Sequence, residues 1–159
     1  MPHPTQSPPG LPDQVVDAIL VALDDEYHAE ATYEAILARF GQVRPFCNIV
    51  EAERRHAAAL IGVMASYGLP AAPNPYLTGE KRLDPVPATL TDACETAVAT
   101  ELSNVALYDD RLLPAASGYR DVETVFRRLR DASADRHLPA FRRCADRHRG
   151  AAAPQKQEI

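Results

Sequence analysis

The chain has 159 residues, enough for one domain and too few for two ordinary ones. With 46% hydrophobic and 25% charged residues it has the composition of a folded globular chain, and a formal net charge of −5 removes any electrostatic case for nucleic acid or an anionic membrane as the main partner. No apolar run approaches ~18 residues, and the Pro-rich start lacks the basic-then-apolar order of a secretory signal, so the expected setting is the cytoplasm, away from any membrane.

Residues 1–12 hold five of the 14 prolines and read as a flexible arm ending at Pro12, a plausible first helical turn. A helical pattern then runs from about Asp13 to Phe40 and stops at Gly41. After a short turn a second helix spans about 46–67, closed by Gly68 and Pro70. Residues 69–88 form a Pro-rich crossover. A third helix starts at Thr89 or Thr91, both good N-caps, and runs to Leu113 before Pro114. Asp121 caps a fourth helix reaching about His148, inside which Pro139 predicts a kink just after His137. Residues 149–159 read as a frayed tail. No segment alternates with period two. The expectation is an all-α fold over residues 13–148: an antiparallel four-helix bundle with one long crossover between helices two and three.

Read at three- and four-residue spacing, each helix has one inward stripe. The stripes are apolar at both ends, with polar or ionisable groups at mid-helix: Glu26 and Glu30 on helix one, Glu53 and His56 on helix two, Glu101 on helix three, and Ser133 with His137 on helix four. A lone carboxylate in a dry core costs several kcal/mol or becomes protonated, and clustered carboxylates repel one another as well. No Lys or Arg lies on the stripes; Arg54, Arg55 and Arg136 are expected to point off them. A multivalent cation removes the penalty. Oxygen and nitrogen donors without thiolate suit iron or manganese, with zinc behind them. Glu53 and His56, three residues apart, project from one helix face as in di-metal carboxylate bundles.

Taken with the other three helices, Glu53-Arg54-Arg55-His56 resembles the ferritin-like superfamily. The spacing Glu26-x6-Tyr33 is similar to the glutamate and tyrosine of ferritins. The string from Phe46 to His56, with Tyr67-Gly68-Leu69 and the run from His137 to Phe141, resembles a bacterial family of single-domain ferritin-like proteins. The likeness covers roughly residues 13–145. It implies a di-iron-type site in which Glu26 is a terminal ligand, Glu53 bridges, His56 is terminal, and Glu101 and His137 complete the set. Tyr33 is either an electron donor or hydrogen-bond partner to a ligand, or an ordinary buried tyrosine with its hydroxyl satisfied, the latter favoured. The sequence departs from the symmetrical pattern at Ala134, where a second glutamate precedes the histidine. One ion or two are therefore both open.

Glu30 is a further candidate. It lies thirteen residues before Val43, as His56 lies thirteen after it, which puts the two at similar heights in a hairpin; Glu26 is about 6 Å higher. Both remain open as the helix-one ligand. Tyr108 stands near the same level, with the same two readings as Tyr33. His28 and Glu95 are expected off the site. Cys47, Cys94 and Cys144, an odd number without a CxxC pair, read as core hydrophobes outside any disulfide framework. The resemblance implies iron reacting with dioxygen or peroxide; with no reductase or four-cysteine module in the sequence, any electron donor is expected to be a separate protein, and the oligomeric state is open, with a homodimer as the prior expectation. The alternatives are a non-enzymatic metal-binding or sensing module and a structural bundle with a degenerate site.

Overall fold

The computed structural model describes residues 10–151, all of whose regular structure is helical. Helix α1 spans Asp13–Phe40 and α2 spans Phe46–Ser66. Helix α3 runs Leu90–Leu107, passes through a π-helical turn at Tyr108–Leu112 and ends with Leu113–Ala115. Helix α4 runs Arg120–Ala132, passes through a second π turn at Ser133–His137 and continues as Leu138–Ala151. Four helices and no strand are therefore present among the described residues, as a four-helix bundle requires. None of the helices is long and apolar enough to cross a membrane. Most of the predicted N-terminal arm and the last eight residues of the predicted tail lie outside the described residues.

Local chemistry accounts for the ends. Gly41 closes α1 with φ +83°, where a Cβ is unfavourable, and its N–H bonds Leu37 O. Thr89 is the cap of α3, its hydroxyl accepting from Asp92 N at 3.1 Å. Two expectations fail here. Helix α3 does not stop before Pro114, and α4 extends past His148 to Ala151. In both rods a proline stands two residues beyond the π turn, in Leu113-Pro114-Ala115 and Leu138-Pro139-Ala140. The wide turns are closed by Leu113 N to Tyr108 O and by Leu138 N to Ser133 O. Proline has no N–H for the next bond, and its ring crowds the carbonyl four residues back; widening the turn relieves both. At Pro139, where the sequence predicts a kink, the structure shows this wide turn ending at His137.

The core divides into two apolar clusters. One holds Ile19, Leu23, Leu60, Met64, Leu112 and Phe126; the other holds Ile36, Phe46, Ile49, Cys94, Phe141 and Cys144. Between them lies a buried polar layer, as the stripes predict. The crossover lies against α1: Tyr27 donates to Ala72 O at 2.9 Å, Asn74 donates to Tyr27 O at 2.9 Å, and Tyr76 donates to Asp24 at 2.9 Å.

The cysteines correct the sequence reading. Cys94 and Cys144 are fully buried but form a disulfide between α3 and α4, with Cα atoms 5.7 Å apart, leaving only Cys47 free. The odd count hid a pair separated by 50 positions. In the chain-entropy account, closing a loop of that length stabilises the fold by about 4 kcal/mol.

The π turn also corrects the fourth stripe. Three- and four-residue spacing from Ser133 and His137 predicts Ala140 as the next inward residue, but past the π turn it is Phe141, which packs against Tyr33 and Phe46 with ring centroids 5.2 and 4.9 Å away. Phe141→Ala is expected to lower unfolding free energy by about 3–5 kcal/mol, and Ala140→Ser by less than about 1 kcal/mol. Denaturant titration checks this; equal costs would place the register where the uninterrupted stripe puts it.

Candidate metal centre

Glu53 lies in the middle of the polar layer, 2% exposed. Its Oε2 is 3.0 Å from His56 Nδ1, three residues on in α2, and its Oε1 is 3.1 Å from His137 Nδ1, carried by the π turn of α4. The two imidazoles are nearly parallel, with centroids 5.5 Å apart. His56 Nδ1 also faces Glu26 Oε2 of α1 at 3.1 Å. His137 Nδ1 also faces Glu101 Oε2 of α3 at 3.5 Å. Donor atoms of Glu26, Glu53 and His56 thus converge within 4.8 Å of one another, and so do those of Glu53, Glu101 and His137. Glu53 belongs to both groups.

Two tyrosines hold the outer carboxylates. Tyr33 donates to Glu101 Oε1 at 2.7 Å and Tyr108 donates to Glu26 Oε1 at 2.9 Å. Both phenols are fully buried, and burial beside carboxylates pushes their pKa well above the usual value, so they remain donors. Each is wedged by phenylalanine: Tyr33 by Phe46 and Phe141, Tyr108 by Phe126. A hydrogen bond to one oxygen leaves the other free to face the histidine.

Five of the predicted residues, Glu26, Glu53, His56, Glu101 and His137, are therefore brought together. Glu30 is not. Its carboxylate accepts from Arg54 Nε at 3.3 Å and from Asn74 at 3.2 Å, outside both groups. Arg54 was expected to point off the stripe, but its long side chain reaches back across α1 to Glu30 and Glu34 and on α2 to Glu51. Of the two helix-one candidates, only Glu26 faces a histidine. His28 packs on the Tyr76 ring, and Glu95 pairs with Arg149 at 3.1 Å. The part of Tyr108 was readable in the sequence: Glu101-x6-Tyr108 repeats Glu26-x6-Tyr33. The two tyrosines exchange partners, each helix's phenol serving the other helix's carboxylate.

Nearby, Asn104 donates to Asp25 at 2.5 Å, and burial raises the Asp25 pKa.

The donor set fits a metal ion. His137 Nδ1 is buried and, although close to two carboxylates, has neither in line for a hydrogen bond. A buried nitrogen aimed at oxygens without a partner is costly unless something shares its lone pair. Three carboxylates and two imidazoles around two adjacent points offer oxygen and nitrogen to a hard or borderline cation. No protein-family model, curated protein or solved structure matches the chain.

Without a cation, protons take its place. Burial raises the Glu26 carboxyl to about 8, its hydrogen bond to His56 only partly offsetting this. Burial acts in the same sense on Glu53, but the imidazoles of His137 and His56 outweigh it and hold that carboxyl low. Burial alone would lower both imidazoles; the adjoining carboxylates outweigh it, raising His56 to about 9 and His137 to about 10. An imidazole with a raised folded pKa contributes stability that is complete below the unfolded value of 6.5 and is lost as pH rises through the folded one. Glu26, with its raised pKa, acts in the same direction from 4.5 to about 8. The Tm of chelator-treated protein is therefore expected to fall between about pH 7 and pH 10, more steeply than in the His56→Gln/His137→Gln variant. Parallel Tm curves would mean the imidazoles are not charged in the fold.

Proposed function

We propose that this chain is a ferritin-like protein of the di-iron type, binding two metal ions, iron first, at the carboxylate–histidine layer and reacting with dioxygen or peroxide. The observation that carries the reading is Glu53 set between two imidazoles, one on each oxygen, with a separate carboxylate beyond each imidazole. In this reading Glu53 bridges, Glu26 and His56 serve one ion, and Glu101 and His137 serve the other. Helices α1 and α2, joined by residues 41–45, lie along each other with Glu26 beside His56, which supports the antiparallel arrangement, and residues 67–89 supply the long crossover.

When bound, an iron pair would supply the electrons that reduce dioxygen or peroxide. The chain's residues set the conditions. Tyr33 and Tyr108 orient the outer carboxylates by hydrogen bonds and keep their own protons. The Phe46, Phe126 and Phe141 rings exclude water from the tyrosine side. His56, at 13% side-chain exposure, is the wettest of the five candidate ligands. Metal uptake displaces the protons held by His56, His137 and Glu26, so affinity rises with pH toward about 10.

A second reading has one observation in its favour. Helix α4 supplies an imidazole but no carboxylate, with Ala134 where a symmetrical site has glutamate. A single redox-silent ion would then hold the bundle, making the chain a metal-binding or sensing module.

Anaerobic loading of chelator-treated protein with ferrous iron, followed by oxygen or peroxide and near-ultraviolet absorbance, separates the two. Two irons per chain and rapid oxidation are expected. Glu53→Gln is expected to abolish tight binding, Glu26→Gln and Glu101→Gln to lose about one ion each, and Glu30→Gln to leave the count unchanged. One silent ion selects the second reading, and no bound ion overturns both.

A further inference from the structure

The carboxylates of the polar layer are sealed and His137 nearly so; His56 is partly exposed. A surface cleft of about 300 Å³ between α2 and α4 has His56 and His137 at its base and Arg55, Arg128 and Arg136 among its lining residues. No carboxylate lines it. All three arginines are exposed, and none forms an ion pair among the described residues. What sets them apart is their place: three guanidinium groups border one opening that no acid lines. Between the arginines the wall is apolar, formed by Ile49, Leu129 and Ala132.

We propose that this cleft seats a small organic carboxylate, the substrate class of the adjoining site. The guanidinium forks suit a carboxylate's two oxygens, and the apolar wall suits a short hydrocarbon or aromatic body. The open side is also the side on which the chain provides no acid. From α4 the cleft is lined by Arg128, Leu129, Ala132, Arg136 and His137, with no carboxylate among them. The term substrate rests on the metal-site reading; the carboxylate seat itself does not.

Isothermal titration of acetate, benzoate and octanoate into the full chain tests this, with benzamide as the uncharged match for benzoate and inorganic phosphate as the competing oxyanion. The titrations are run on metal-free and on ferrous-loaded protein. At least one carboxylate is expected to bind, benzoate more tightly than benzamide. The variant Arg55→Gln/Arg128→Gln/Arg136→Gln is expected to weaken carboxylate binding by at least about tenfold, since charged hydrogen bonds are lost. The variant Arg142→Gln/Arg143→Gln/Arg147→Gln removes equal charge elsewhere on α4 and is expected to change little. All six positions are exposed, and melting curves confirm that both variants fold. The proposal is overturned if no carboxylate binds, if benzamide binds as well as benzoate, if only phosphate binds, or if both variants weaken binding equally. Carboxylate binding in protein that takes up no iron keeps the seat and removes the metal-site reading. Two irons per chain with no carboxylate binding does the reverse.

Discussion

The structure is organised around one buried carboxylate. Glu53 has an imidazole on each of its oxygens, and those imidazoles come from different helices. An ionised group in that position would cost several kcal/mol in isolation. It is sustained because the positive charge is arranged around it, as protons on His56 and His137 or as a cation in their place. All four helices must then present a polar residue at one height, and the chain secures that height with an apolar cluster on each side. The disulfide and the Tyr33–Phe46–Phe141 group fix one end, and Tyr108 against Phe126 fixes the other.

A π turn is the means by which α4 meets this requirement, whereas Glu101 of α3 precedes that helix's own π turn. Tyr108 is the first residue of one turn and His137 the last residue of the other. A regular helix advances about 100° per residue, so an inserted residue re-aims every side chain beyond it. Proline two residues later makes the wide turn the low-cost solution, because the bond lost in a regular helix is one that proline could not have made. Pro139 in this way helps set how His137 faces the polar layer.

Much of this was legible in the sequence because helices repeat. Glycine caps and prolines marked the ends of α1 and α2 to within a residue. The layer of Glu26, Glu53, His56, Glu101 and His137 stood out because charged residues interrupted otherwise apolar stripes. Other features were hidden for physical reasons. Spacing counted from a turn could not distinguish Glu26 from Glu30, which are one helical turn apart. The choice depends on Arg54, whose flexible stem carries its charge across to α1. The Cys94–Cys144 pair depends on how two distant helices pack. Phe141 was misplaced because a periodic stripe assumes a uniform helix, and the π turn breaks that assumption.

What the fold does with its near-symmetry bears directly on function. Glu26-x6-Tyr33 and Glu101-x6-Tyr108 are equivalent halves, cross-linked by their own hydrogen bonds, and the structure closes that side completely. On the opposite side α2 carries the Glu53 carboxylate and α4 carries alanine. Between these two helices lies the cleft lined by Arg55, Arg128, Arg136, His56 and His137. The polar layer thus has a closed side, where two tyrosines hold the outer carboxylates, and a side that borders a cleft with room for a molecule from solution. Such a division suits a site that works on something it binds more than one that only keeps an ion in place.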